Sequence, residues 1–397
     1  MPYLKNPAGR IVAIPDDKYE YWLSQQGFEK ISKQEEEDFI KEKERIFYQM
    51  NHAEEIDKGV YFNSVSQEQA DGYSMAAANL TKALEGLGVH VAYRDDGQKI
   101  AILFHHPYSI LAIDTPYKIL YTMFESTRIP DDWKDYLESA DLILVPSKFC
   151  QKAFQDAGFD SQVVHLGYDE KTYTLIERPE KRKIFTFLHY DAFNMRKGFS
   201  EVFEAFKQEF KGDDNVRMIF KTTRKSLPFP LLKSQYPNID VIQGRYTKKQ
   251  MHEMLKDADC FVFPSRGEGF GITPLEAMAT GIPAIVPNAH GIAEYFNDEC
   301  MYEVEVEGTC PALYSKYKGE DVGTMVKCSV DNLRKKMRYV YEHQKEARKK
   351  GLLASEYVKK FTATETAKRL KEVIDDILSR PIPERKVKNV LHLEQIT

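Results

Sequence analysis

The 397-residue chain lacks several features that would place it in a class at once. It has no apolar run close to the roughly 18 residues that cross a bilayer, and its first residues, MPYLKNPAGR, lack the apolar core of a signal peptide. Its five cysteines include no CxxC pair, so the sequence indicates neither a disulfide framework nor a zinc site. We therefore expect a cytoplasmic protein with reduced, mostly buried cysteines, and we leave peripheral attachment to a membrane open.

An excess of positive charge is also absent. The net charge of -5 at pH 7 argues against a general nucleic-acid binder, so we expect no nucleic-acid partner. Hydrophobic residues make up 42% of the chain and charged residues 29%, which is ordinary for a soluble globular protein. The sequence shows no cluster of residues that would hold a catalytic metal, and we expect none.

What the sequence has instead is an alternation of short apolar runs and helical stretches from residue 59 onward, which predicts an α/β fold. The alternation comes in two blocks, and the length is large for one core, so we expect two doubly wound domains that face each other across a cleft. The predicted parts are an appendage at 1–50, a first domain at 51–178, a second domain at 179–352 and C-terminal helices at 353–397.

The appendage begins with a turn-rich segment and continues as a highly charged helix. No residue in it points to chemistry. We expect a small packing or docking module, and a protein partner that binds the exposed helix stays open.

The stretch between residues 259 and 296 contains the most recognisable structural patterns in the sequence. An apolar run at 260–263 predicts a buried strand, a loop with three glycines follows, and Thr273 and Glu276 have the spacing of an N-cap and third residue of a helix. In a parallel sheet such a loop lies at the carboxyl end of its strand, where α/β proteins bind ligands, and the helix start offers free N–H groups to an anion. The stretch therefore predicts a phosphate site.

Polar or flexible residues follow the apolar runs elsewhere in the chain, and we expect them to converge on the same cleft. Five of them have an ordinary alternative: His105 and His106 as turn residues satisfied by backbone groups, Glu125 as a loop-end charge, and Arg196 and Lys197 as surface charges before a helix. The candidates are Gly72, Tyr73, His105, His106, Glu125, Arg196, Lys197, Arg245, Tyr246 and His290.

The segment PSRGEGFGITPLEAMATGIPAIV, followed by HGIAEYF, resembles the donor-binding signature of retaining glycosyltransferases of the GT-B fold, above all glycosyltransferase family 4. Further segments agree in the same order: GYSMAAANLTKALEGLGVHV, YTMFESTRIPDDW, DLILVPSKFCQKAF, VVHLGYDEKTY and MRKGF. The resemblance covers roughly residues 59–379. It implies two facing Rossmann-like domains that clamp a nucleotide sugar, with a last helix, predicted at 363–379, that crosses back onto the first domain.

The family's paired glutamates match Glu268 and Glu276. The resemblance implies that Glu276 accepts hydrogen bonds from the ribose hydroxyls and that Glu268 lies beside the transferred sugar. The alternatives are a capping box for Glu276, formed with Thr273, and a solvated loop charge for Glu268. The resemblance also implies that the backbone here approaches sugar and phosphate, at Gly269, Phe270, Gly271, Ile272, Thr273 and Leu275.

Lys197 matches the family's phosphate lysine, and a cation placed beside a departing nucleoside diphosphate lowers the reaction barrier. The family often has an arginine about five residues earlier, but this chain reads HYDAF there. Either Arg196 replaces that arginine or the leaving group is stabilised less. His105 or His106 corresponds to a histidine that faces the donor sugar in related enzymes, where it would orient or polarise rather than attack.

The resemblance implies a metal-independent transfer from a nucleoside-diphosphate sugar to an acceptor hydroxyl with retention of configuration. Gly72, Tyr73 and Glu125 are predicted on the acceptor side, and Arg245 and Tyr246 on the base side. A nucleotide-sugar epimerase of the same fold and a catalytically weak sugar-nucleotide-binding subunit are the alternatives. The donor base, the donor sugar and the acceptor stay open.

Overall fold

The computed structural model describes residues 2–7, 9–14, 16–26, 28–64, 72–180, 182–191, 194–210, 212, 215–223 and 235–382. Among the described helices, none combines the length and the apolarity needed to cross a bilayer. All five cysteines are free thiols, and four of them are buried, in agreement with the prediction; Cys310 is partly exposed.

The N-terminal module is a small antiparallel sheet packed on a long charged helix. Helix α2 begins after Ser32, whose hydroxyl accepts a hydrogen bond from the Glu35 N–H while the Glu35 carboxylate accepts one from the Ser32 N–H at 2.8 Å. The charged helix agrees with the prediction, but the sheet was not predicted because its strands are only two or three residues long. The elements are β1 (Tyr3–Lys5), β2 (Ile11–Ala13), α1 (Tyr19–Leu23), β3 (Glu29–Lys30), α2 (Lys33–Asn51) and α3 (Ala53–Lys58).

The first α/β domain contains a six-stranded parallel sheet in the order β5-β4-β6-β7-β8-β9. Strand β6, with the sequence IAILF, is buried along its whole length, as expected of a central parallel strand covered on both faces. The elements are β4 (Val60–Ser64), α4 (Gly72–Gly86), β5 (Val91–Ala92), β6 (Ile100–Phe104), β7 (Tyr117–Tyr121), α5 (Lys134–Leu137), β8 (Leu142–Val145), α6 (Lys148–Asp156) and β9 (Gln162–Val163), with 3-10 turns at Pro107–Ala112 and Asp131–Trp133.

The second α/β domain has a parallel sheet in the order β12-β11-β10-β13-β14-β15, so the strand order reverses between β10 and β13. The elements are β10 (Phe185–Tyr190), α7 (Phe199–Glu209), β11 (Val216–Thr222), β12 (Ile239–Gln243), α8 (Lys248–Leu255), β13 (Cys260–Val262), α9 (Ile272–Ala279), β14 (Ala284–Val286), β15 (Met301–Glu303), α10 (Val330–Glu342) and α11 (Gln344–Tyr357), with 3-10 turns at Met195–Lys197, His290–Glu294 and Val358–Phe361. The helix expected near 229–235 falls outside the described residues but for its last position.

The last helix, α12 (Ala363–Leu378), returns to the first domain and packs on α4, as the resemblance implies. The chain crosses over at Thr362, where the Ala363 N–H donates to the Tyr168 carbonyl oxygen at 2.8 Å. Apolar side chains of both domains and of α12 form one continuous buried cluster, so the two sheets share a core. The residues at which one domain gives way to the next stay a prediction.

A β-hairpin, β16 (Val306–Pro311) and β17 (Thr324–Cys328), lies between β15 and α10. Its connecting loop, residues 312–323, reaches into the first domain, where Ala312 and Val322 are buried with Trp133. The hairpin was not predicted, because β16 is mostly exposed and carries little of the apolar pattern that marks a strand in the sequence.

We predict that the crossover at Thr362 tolerates no side chain on its neighbour Gly167. A Cβ atom there would lie 2.1 Å from the Thr362 carbonyl oxygen, so Gly167→Ala forces two backbones apart. We expect the change to cost about 1–3 kcal/mol and to lower the melting temperature by a few degrees. Gly86→Ala is the control, because that helix residue has open space around its Cβ position, and it should leave the melting temperature unchanged or slightly raised. Equal melting temperatures for the two variants would contradict the prediction.

Candidate functional site

A cavity of about 590 Å³ lies between the two domains, at the carboxyl ends of their strands. Both domains contribute to its lining, as the crevice rule for α/β sheets predicts. Most of the predicted site residues line it: Gly72, Tyr73, His106, Glu125, Arg196, Lys197, Arg245, Tyr246, Glu268, Gly269, Phe270, Gly271, Ile272, Thr273 and Glu276.

Three predicted residues lie outside the lining. Leu275 is fully buried in the apolar core. His290 is buried behind the glycine loop, where its Nε2 lies 3.0 Å from the Ser265 carbonyl oxygen, and burial lowers the pKa of His290 to about 4, so the neutral ring supports that loop. Of the two adjacent histidines, His106 lines the cavity, and the ring of His105 packs against it at 4.8 Å between centroids.

A row of buried charges of alternating sign forms the floor of the cavity. The guanidinium of Arg196 lies 3.2 Å from carboxylate oxygens of both Glu125 and Glu268. The ammonium of Lys197 lies 2.9 Å from Glu268 and 2.8 Å from Asp191. Burial by itself raises the pKa of Glu268, but Lys197 and Arg196 outweigh it and hold that pKa at about 2. Glu268 is therefore a carboxylate fixed between two cations, and the alternative of a solvated loop charge is wrong.

The two cations are presented by a short 3-10 turn after β10. The Asn194 side chain caps this turn by accepting a hydrogen bond from the Lys197 N–H at 3.1 Å. Gly198 follows with φ +77, and a Cβ there would lie 2.3 Å from the Pro264 carbonyl oxygen. Only glycine fits this position, and it brings the turn against the end of β13, where the loop carrying Glu268 begins.

The glycine loop after β13 touches the first domain by its backbone. A Cβ on Gly267 would lie 2.1 Å from the Glu125 carbonyl oxygen, so the two domains meet main chain to main chain. The Gly269 carbonyl oxygen accepts a hydrogen bond from the Ser147 hydroxyl at 2.7 Å, at the start of α6. These contacts fix the position of Glu268 relative to both sheets.

Helix α9 begins two residues earlier than predicted, after Gly271, whose φ of +90 favours glycine. Thr273 makes no side-chain cap, and the Glu276 carboxylate points away from the helix start and accepts a hydrogen bond from the Tyr190 hydroxyl at 3.1 Å. The capping-box alternative is therefore wrong. Burial raises the pKa of Glu276 to about 8, although the Tyr190 hydroxyl opposes the shift.

Several cavity residues were not predicted. Tyr190 and Asp191 end strand β10, so the rule that ligands gather at strand ends could have found them. Lys221 was the easiest of these to predict from the sequence, because it is a lysine directly after the apolar run of a buried strand. The unpredicted lining residues are Met75, Ala76, Asn79, Met123, Leu166, Tyr173, Tyr190, Asp191, Asn194, Lys221, Thr222, Thr223 and Met251.

Within the part of the chain that the structure describes, no three His, Cys, Asp or Glu side chains lie close enough to hold a metal ion.

Comparison with known proteins agrees with this geometry. The family model described as glycosyl transferases group 1 matches residues 175–303. A protein of Sulfolobus islandicus filamentous virus, whose name assigns it provisionally to the glycosyltransferases, is 32% identical over 143 residues, which are 36% of this chain and 50% of that one. The lipopolysaccharide core mannosyltransferase LpsB of Rhizobium meliloti is 56% identical over 36 residues, 9% of this chain and 10% of that one. The chain thus spans at most 55% of the length of the curated relatives it matches.

Solved structures match over most of the chain. Sucrose-phosphate synthase from Thermosynechococcus elongatus has a TM-score of 0.61 at 13% identity, covering 81% of this chain and 99% of that one. Anabaena HepE, solved with UDP and glucose, has a TM-score of 0.58 at 12% identity, covering 80% and 99%. At these identities the likeness shows the fold alone. The chain has the GT-B fold, and its residues 175–303 match the family model of the group 1 glycosyl transferases.

Proposed function

We propose that the protein is a retaining glycosyltransferase that moves a sugar from a nucleoside-diphosphate sugar to an acceptor hydroxyl. The observation that carries the proposal is the pair Arg196 and Lys197, buried with Glu268 on the two loops that follow β10 and β13. The strand order reverses between these two strands, and this is where α/β sheets bind nucleotides. The solved complex of the Anabaena neighbour with UDP and glucose supports a nucleotide donor.

The cavity offers a place for each part of such a donor. The diphosphate fits beside Lys197 and the start of α9, where backbone N–H groups and the helix dipole favour an anion. Glu276 and the Tyr190 hydroxyl form a polar pair one helical turn further on, suited to the ribose hydroxyls. The sugar then lies between Glu268 and His106, with the acceptor entering from the side of Gly72 and Tyr73.

In the proposed reaction the bond between the anomeric carbon and the diphosphate oxygen breaks, and its electrons leave with the nucleoside diphosphate. Lys197 and Arg196 stabilise that growing negative charge because they are already in place and desolvated. The acceptor oxygen bonds to the anomeric carbon on the face that the diphosphate leaves, and its proton passes to the departing phosphate oxygen. Configuration is thereby retained.

Glu268 has a defined part in this scheme. Its pKa of about 2 keeps it ionised at neutral pH, so it cannot act as a general acid. A fixed carboxylate beside the anomeric carbon instead favours the positive charge that develops on the sugar ring. The two cations and the start of α9 supply the positive charge at the diphosphate, and we propose that the reaction needs no metal.

A catalytically weak sugar-nucleotide-binding subunit is the second candidate, and Asp191 is the observation that favours it. Its carboxylate lies 2.8 Å from the Lys197 ammonium, in the region where the family often has an arginine. A negative group at that position competes with the diphosphate for Lys197 and weakens stabilisation of the leaving group.

Product analysis with labelled nucleotide sugars tests the proposed function. We expect the label to move to an added acceptor or to water, with release of the nucleoside diphosphate. Conversion of the donor sugar without release would identify an epimerase. Binding without any turnover would identify the weak subunit, and neither result is compatible with a transferase.

Lys197→Ala should lower turnover by about a hundredfold or more, because it removes a cation aimed at the leaving group. Lys207→Ala is the matched control: this lysine lies on α7, on the protein surface, where it pairs with Glu204 at 2.8 Å, and its loss should leave turnover unchanged. Steady-state kinetics on protein with a cooperative melting transition make the comparison. A loss of only a few-fold would remove Lys197 from the mechanism.

Glu276 should make a contribution to the stability of the unliganded protein that declines as the pH rises from about 4.5 to 8, whereas His290, whose pKa is lowered, acts in the opposite direction below about pH 6.5. The pKa of Glu276 is raised in the folded state, so between about pH 4.5 and 8 the folded protein holds a proton that the unfolded chain has lost. Glu276→Gln keeps a neutral, hydrogen-bonding side chain and should flatten the decline in melting temperature by several degrees across this window. Glu253→Gln, at an exposed position on α8, should leave the decline as it is. Parallel curves for wild type and Glu276→Gln would show that Glu276 is already ionised near pH 4.5.

A further inference from the structure

Lys221 is an unusual residue for its position. It belongs to β11, where its side chain lines the cavity although only 4% of the residue is exposed. Its ammonium donates to the carbonyl oxygens of Thr222 and Gly244, at 3.4 and 2.5 Å. No carboxylate of the described residues lies within ion-pair distance, and burial lowers its pKa. A buried ammonium held by carbonyl groups, without a carboxylate partner, is costly, so its place beside the cavity calls for a function.

The position of Lys221 corresponds to the base end of a bound nucleotide. Strands β10, β11 and β12 are neighbours in the sheet, with Tyr190 paired to Lys221 and Lys221 paired to Ile242. Neighbouring strands lie about 4.8 Å apart, so the loop after β12 is about 10 Å from the cations that follow β10. A nucleoside that extends from a diphosphate at Lys197, past Glu276, therefore brings its base over the ends of β11 and β12.

The groups at this end of the cavity are donors and an aromatic ring. The Lys221 ammonium has three N–H donors and no acceptor, and carbonyl oxygens take two of them. The ring of Tyr246, whose centroid is 4.4 Å from that ammonium, offers a face on which a base can stack. Arg245, beside it in the cavity lining, adds further N–H donors.

Hydrogen-bond donors at this end of the cavity discriminate between bases by the exocyclic groups that the bases carry. Guanine presents O6 and uracil O4, and both accept hydrogen bonds. Adenine and cytosine present an amino group at the same place, and an ammonium facing an amino group leaves two buried donors unpaired. We propose that Lys221 selects a donor nucleotide whose base carries an exocyclic carbonyl group, guanine or uracil, over one that carries an amino group there. The inference rests on the proposed function, because it assumes a nucleotide donor in this cavity.

Two matched pairs of nucleotides test it. IDP carries a carbonyl group at C6 of the purine where ADP carries an amino group, and UDP and CDP differ in the same way at C4 of the pyrimidine. In each pair the adjacent ring nitrogen bears a hydrogen only in the carbonyl member. Calorimetric titration of the full-length protein should show the carbonyl member of at least one pair binding about tenfold or more tightly than its amino partner. The pair with the larger ratio then distinguishes a purine from a pyrimidine donor. ADP and CDP binding as tightly as IDP and UDP would overturn the proposal.

Variants separate selection of the base from recognition of the phosphates. Lys221→Met keeps the length of the side chain and removes the donors, so the ratio within the preferred pair should fall to near one. Lys197→Ala is the control: it should weaken all four nucleotides together and preserve the ratio. If Lys221→Met also weakens all four equally, Lys221 is a phosphate ligand and the proposal is wrong. If Lys221→Met does not fold, the titrations of the wild type still test the preference for a carbonyl base. If none of the four nucleotides binds to the wild type, the proposed function itself is refuted.

Discussion

The structure of the cleft depends on one buried carboxylate. Glu268 lies between Arg196 and Lys197 and accepts a third contact from the Ser265 hydroxyl at 2.6 Å. A charge removed from water in this way is tolerated only when its partners are fixed, and here they are fixed by main-chain features. Gly198 lets the turn with the cations approach β13, and Gly267 lets the Glu268 loop approach the first domain. The glycines therefore serve the electrostatics of the site more than the flexibility of its loops.

The same ionic row links the domains. Arg196 belongs to the second domain, whereas Glu125 belongs to the first and also accepts a hydrogen bond from the Tyr314 hydroxyl at 3.2 Å, in the hairpin loop. Movement of one domain against the other would therefore separate buried charges as well as apolar surface. The shared apolar core and the row of charges therefore both oppose such a movement.

The sequence was sufficient for the parts of the fold and site that have local signals. We predicted the buried parallel strands, the glycine loop and the residues at strand ends because each has a local sequence pattern. Apolar runs, glycines and the polar residues that end a strand can all be recognised within about ten residues. The capping-box interpretation of Glu276 was wrong because it used only residues 273–276. The partner of the Glu276 carboxylate is the Tyr190 hydroxyl, which is distant in sequence. Tyr173 and Asn79 line the cavity only because of tertiary packing, which no local sequence pattern predicts. The hairpin was missed because β16 is mostly exposed and lacks the apolar pattern of a strand.

The hairpin also limits where domains could be exchanged between this protein and its relatives. By sequence it belongs to the second domain, but Ala312, Val322 and Met325 complete the core of the first, beside Phe124 and Trp133. A recombination between α/β domains that cuts the chain once, near residue 178, would give the first domain a core with a hole and give the new second domain an exposed apolar loop. Functional chimeras of this protein therefore need more than one junction, so that the hairpin comes from the same parent as the first domain, whose core it completes.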